Sequence, residues 1–131
     1  MIDKRQIFDA CLLGKTSLVD ELLATGLSPN CRDDRQRTPL MVACWLGNIE
    51  LCNLLLKRGA DANAKNQNGT TVFMYAKSSA LGSGNTNIMK LVLEHGADIN
   101  ARDDAGLTIL EYVENATEKV HKFICSNGGI K

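Results

Sequence analysis

The chain has 131 residues, 44% hydrophobic and 23% charged, with 15 Lys and Arg balancing 15 Asp and Glu. That length suits one domain able to bury its own core. The charge balance lacks the basic excess of a nucleic-acid binder, and no run approaches the ~18 apolar residues of a membrane span, so neither kind of partner is expected.

The N-terminus, Met1-Ile2-Asp3-Lys4-Arg5-Gln6, is polar and no apolar stretch follows it. No secretory leader is therefore expected. Five cysteines, Cys11, Cys31, Cys44, Cys52 and Cys125, form an odd set with no CxxC pair. A disulfide framework favours even numbers. Zinc needs clustered ligands, and His95 and His121 adjoin no such cluster. The cysteines read as small core hydrophobes. The chain is expected to be cytoplasmic, with no metal and no other cofactor.

The elements follow in chain order. A first helix opens on Asp3-Lys4-Arg5-Gln6 and ends near Gly14. A second, with Leu18, Leu22 and Leu23 at helical spacing, stops at Gly26. Thr38-Pro39-Leu40 starts a third: the threonine caps it and Pro39 sits where a missing N–H costs nothing. That helix ends near Gly47, and a fourth carries Leu51, Leu54 and Leu55 to Gly59. Thr71 starts a fifth that ends near Gly84, and a sixth carries Ile88, Leu91 and Val92 to Gly96. Thr108 starts a further helix, and the last places Val120, Phe123 and Ile124 on one face. Asp/Asn-rich turns such as Asn66-Gln67-Asn68-Gly69 separate the pairs.

These units repeat. Thr38 recurs as Thr71 after 33 residues and as Thr108 after 37 more. Gly59-Ala60-Asp61-Ala62-Asn63-Ala64 recurs as Gly96-Ala97-Asp98-Ile99-Asn100-Ala101, with a weaker form at Gly26-Leu27-Ser28-Pro29-Asn30-Cys31. One helix pair alone leaves an apolar face open; stacked pairs close it.

A 33-residue period with this content resembles the ankyrin repeat. The resemblance implies an all-α solenoid with short β-turn fingers, forming a single domain over 1–131. Its repeats would run about 1–33 as N-terminal cap, 34–66, 67–103 with a four-residue insertion, and 104–131 as C-terminal cap. Two departures stand out. The histidine the family often carries after Thr-Pro-Leu is replaced by Phe8, Met41, Met74 and Glu111, which shifts coupling between repeats toward apolar packing. Gln36 stands where the turn glycine belongs and predicts a turn that is strained or differently shaped.

Motifs with chemistry are sparse. Gly14-Lys15-Thr16 echoes a phosphate loop, but the first glycine of that motif would fall on Asp9, so it reads as a turn between helices. Cys125 lies four residues after His121 and can share its helical face, without other signs of an activated nucleophile. No catalytic residue is assigned, and an enzyme is not expected.

The resemblance instead implies a module that binds another protein through its concave face and turn tips, acting by occupancy as an inhibitor, an immunity-type protein or an adaptor. The variable inner-helix positions are then Leu12 and Leu13, Trp45 and Leu46, Ser78 and Ser79, and Asn115 and Ala116. Trp45, the only tryptophan, and Leu46 are the expected anchors, since tryptophan and arginine dominate interface energetics. Arg35 and Arg37 would orient the partner and Gln67 would lie on the next turn tip. Tyr75 is a further candidate contact. The segment Ser78-Ser79-Ala80-Leu81-Gly82-Ser83 is expected to be a flexible insertion with Leu81 as its anchor. The free chain is expected to be monomeric; self-association through the apolar stripe is the alternative.

Overall fold

The computed structural model describes residues 3–113 and 118–130. Among them are eight helices: α1 (Lys4–Leu12), α2 (Thr16–Ala24), α3 (Pro39–Leu46), α4 (Ile49–Lys57), α5 (Val72–Ser83), α6 (Asn87–Glu94), α7 (Ile109–Tyr112) and α8 (Glu118–Ser126). They form four antiparallel pairs. α1 packs on α3 and α3 on α5, while α2 packs on α4 and α4 on α6, so the pairs stack in two layers. Asn115 and Ala116 lie outside the described residues.

Local chemistry starts these helices where the sequence places them. Thr38 Oγ1 accepts from the Met41 N–H at 3.4 Å, and Thr71 Oγ1 from the Met74 N–H at 3.1 Å. In return each methionine sulfur accepts from the threonine N–H, at 3.4 and 3.5 Å. At Thr108 the reciprocal acceptor is Glu111 Oε1, 3.2 Å from the threonine N–H. Met41 and Met74 therefore close their helix starts from inside the core, and half-buried Glu111 closes the start at Thr108. Pro39 occupies the first helical position, and Gly47 ends α3 with a left-handed φ of 74°.

The turns between pairs are built alike. Asp33 N–H donates to Arg37 C=O at 3.0 Å, Asn66 N–H to Thr70 C=O at 3.0 Å, and Asp103 N–H to Leu107 C=O at 3.1 Å. Each turn's leading Asp or Asn accepts two further backbone N–H groups through Oδ1. Gln36 has φ 61°, so the strain read from its glycine position is present. At Gly69 the reason for glycine is space: a Cβ there would stand 2.5 Å from Asp104 Oδ1 and 2.7 Å from its backbone nitrogen.

Neighbouring turns are tied together. Gln67 N–H donates to Arg35 C=O at 3.2 Å, and Asp104 N–H to Asn68 C=O at 3.0 Å. Along the solvent-facing turns after α2, α4 and α6 runs an asparagine ladder. Asn30 Nδ2 donates to Gly59 C=O at 3.0 Å while its Oδ1 accepts from Asp61 N–H at 2.7 Å. Asn63 does the same with Gly96 and Asp98, and Asn100 with Gly128 and Ile130. Hydrogen bonds as well as apolar packing thus couple the pairs.

One continuous core passes from Ile7 through Leu40, Phe73 and Ile109 to Ile124. Leu22, Leu23, Leu51, Leu55, Ile88 and Val92 join it as their spacing implies, whereas Leu18 stays exposed and Val19 takes the buried place. The insertion differs from expectation. Residues 78–83 are not a flexible loop: α5 runs for 12 residues where α3 has 8. Ala80 sits one turn after Ala76 and both are fully buried, so the added turn has a core face of its own. Ser79 and Ser83 hydroxyls donate back to the carbonyls of Ala76 and Ser79, satisfying polar groups that would otherwise compete with the helix.

Candidate functional site

The C-terminal ends of the inner helices carry four exposed apolar side chains. Leu12 is 55% exposed, Leu13 69%, Trp45 56% and Leu46 42%. Trp45 lies 33 residues after Leu12, so these pairs occupy equivalent positions on adjacent helices. Ile49 at the start of α4 is also exposed and adds to the same helix-pair tip. Leu81 is exposed on the added turn of α5. Ser78 and Ser79 are half-buried.

Arg35 and Arg37 lie at the other end of the inner helices. With Lys4, Arg5, Phe8, Asp9, Asp33 and Asp34 they line a cleft of about 390 Å³ between α1 and the first finger. Arg5, Phe8, Asp9 and Leu12 share one face of α1 by their spacing. The two arginines differ. Arg37 Nε donates to Asp33 Oδ2 at 2.8 Å, so this side chain is part of the turn. Burial pushes the Asp33 carboxyl up, but hydrogen bonds from the Arg37 backbone, the Arg37 guanidinium and the Arg35 backbone outweigh it and hold the group below its ordinary range. Arg35 is exposed, with its backbone N–H on Asp33 and its carbonyl on Gln67. Gln67 is exposed at the next turn.

Tyr75 is half-buried, and its hydroxyl accepts from Asn66 Nδ2 at 2.8 Å. Sequence reasoning missed its counterpart. Tyr112, 37 residues later, is exposed and donates its hydroxyl to Asp103. Lys77 Nζ stands 5.1 Å from the centre of the Tyr112 ring. Desolvation lowers the Lys77 ammonium's pKa, offset in part by Asp103. The tyrosine hydrogen bond lowers Asp103 and raises Tyr112. The signal was the repeat itself: Tyr112 stands four residues after Thr108, as Tyr75 does after Thr71.

The chemical candidates resolve into structure. Gly14-Lys15-Thr16 forms the turn between α1 and α2, beside Glu21 and Glu50, whose carboxylates are unsuited to a phosphate cradle. Cys125 Sγ lies 3.8 Å from His121 Nδ1 on α8, with the cysteine exposed and the histidine half-buried. Among the described residues no group of three or more His, Cys, Asp or Glu side chains is placed to hold a metal. No helix there is long and apolar enough to cross a membrane.

A stack of helix pairs with turn fingers and an asparagine ladder defines a helical-repeat protein. The family model for ankyrin repeats (3 copies) matches residues 7–103 and 55–130. The chain belongs to the ankyrin repeat family. Ankyrin repeats generally mediate protein–protein interaction and are typically non-enzymatic. No curated protein matches the chain.

Proposed function

We propose that this chain is a non-catalytic binding module, four ankyrin repeats in a single domain over 1–131, that holds a partner protein on its inner-helix tips and concave cleft. The observation that carries this reading is the set Leu12, Leu13, Trp45 and Leu46, exposed together on two adjacent repeats. Contiguous exposed apolar surface marks interaction sites, and tryptophan is favoured among the residues that anchor interfaces.

Trp45 and Leu46 act as anchors, flanked by Leu12 and Leu13. Arg35 supplies an orienting charge at the cleft rim, while Arg37 shapes the finger through Asp33. Gln67, Tyr75 and Leu81 extend the contact toward the third repeat. The module works by occupancy, which suits an inhibitor or immunity-type role in the cytoplasm. It binds no nucleic acid or membrane and is a monomer when free.

Capture from cell extract on immobilised protein tests this, with Trp45→Ala and Leu46→Ala compared under matched loading. Loss of retained partner with unchanged helical content supports the anchor roles. Equal retention removes them. A concentration-dependent dimer in light scattering, abolished by Trp45→Ala, would instead assign the surface to self-association.

A further inference from the structure

Cys44 on α3 and Cys52 on α4 meet inside the second repeat, their sulfurs 3.8 Å apart. Both are fully buried and both are free thiols. Cys44 immediately precedes Trp45, and Cys52 lies three residues after Ile49. The two cysteines therefore brace the base of the tip that carries Trp45, Leu46 and Ile49.

We propose that this pair is an oxidisable latch, in which a peroxide joins Cys44 to Cys52 and so fixes α3 against α4 beneath the tip. The sulfurs must close by under about 2 Å to reach a disulfide bond length. The chemistry balances in two steps. One thiolate attacks a peroxide oxygen, the O–O bond breaks, and a sulfenic acid forms with release of hydroxide. The second thiol then attacks that sulfur, the S–O bond breaks and water leaves. Each sulfur gives up one electron, and hydrogen peroxide is reduced to two waters.

The latch is gated. The hydrogen bond with Cys52 and then burial hold the Cys44 thiol well above its ordinary range, so the closed repeat contains little thiolate. Reaction needs local opening of the α3–α4 pair, through which a molecule as small as a peroxide passes before a bulky disulfide does. Cys11 is also protected, with burial pushing it to about 12. Cys125 is exposed and must be removed to read the pair alone.

The crosslink stands apart from the binding role, but its consequence for recognition rests on that role. The test treats the full chain carrying Cys125→Ser with hydrogen peroxide at several sub-denaturing urea concentrations. Remaining thiols are blocked, and a non-reducing digest is weighed. The expected product is a Cys44–Cys52 peptide pair lighter by two hydrogens, at least tenfold above any other cysteine pair, forming faster as urea rises. Its formation should shift Trp45 emission, reversibly with dithiothreitol. Cys44→Ala and Cys52→Ala should each abolish both signals, so one poorly folding variant does not decide the matter. Two blocked free thiols after treatment, separate sulfinic acids, or equal pairing with Cys11 or Cys31 would overturn the latch. A disulfide with unchanged emission would overturn its action on the tip. Loss of all partner capture in the untreated chain would count against the binding role and leave the crosslink untouched.

Discussion

Asn63 shows how much one side chain does in this fold. Its amide bridges Gly96 C=O at 2.8 Å and Asp98 N–H at 2.7 Å, linking two repeats. Hydrogen bonds of this kind contribute about 0.5–1.5 kcal/mol each. Asn63→Ala is therefore expected to cost about 1–3 kcal/mol, read as a lower urea midpoint. Gln36 points the other way. A non-glycine residue at φ 61° carries a left-handed penalty of about 1–2 kcal/mol, and glycine returns part of it as unfolded-state entropy. Gln36→Gly is expected to raise stability by about 0.5–1 kcal/mol; an unchanged or lower midpoint would mean the turn is unstrained. Asp33 ties stability to pH. Its folded pKa is depressed, so its contribution is present above the unfolded value near 4 and is lost as pH falls through the folded value. Asp33→Asn should flatten the acid side of the stability–pH curve.

At the scale of elements, much of the architecture was legible. Thr38, Thr71 and Thr108 mark helix starts because a hydroxyl there serves backbone N–H groups, and that need is local. The glycines mark helix ends for the same local reason. Two things depended on distant partners and were harder to read. The 78–83 segment looked flexible because glycine and serine have weak helix propensity, yet Ala80 reaches the core one turn after Ala76 and burial outweighs propensity. Leu18 and Val19 exchanged places because helical spacing alone fixes a face only to within one residue. Candidate side chains were legible where the repeat exposes them, as at Trp45. The engagement of Arg37 with Asp33 was not, because it depends on the turn's conformation. If α5 continues through Ser83, the amides of Ala80 and Leu81 should exchange at least tenfold more slowly in hydrogen–deuterium exchange than those of an unstructured segment. Exchange at the unprotected rate would return the segment to a flexible loop.

Across the whole molecule, stability is shared through neighbour interfaces rather than held in one centre. Ending the chain at residue 103 would uncover apolar surface of α5 and the core cluster that Ile109, Leu110, Val120 and Ile124 help to bury. Each large buried side chain accounts for about 1.5–3 kcal/mol. The truncated chain should lose more stability than any single substitution discussed above, and circular dichroism on melting would register it. The outer surface has a different logic. Residues 34–66 hold five basic and three acidic side chains, while 1–33 hold four and five. The second repeat is thus mildly basic and also presents Trp45 beside Leu46. The tyrosine hydroxyls of the third and fourth repeats are instead engaged by the preceding turns, Tyr75 by Asn66 and Tyr112 by Asp103. The most direct measurement is quantitative capture by the wild-type chain against Trp45→Ala from one extract, with folding checked by circular dichroism. The expected result is a loss of about tenfold or more in retained partner, as for an interface anchor, at unchanged helical content. Equal retention by the two folded chains would contradict the assignment of this surface to partner binding.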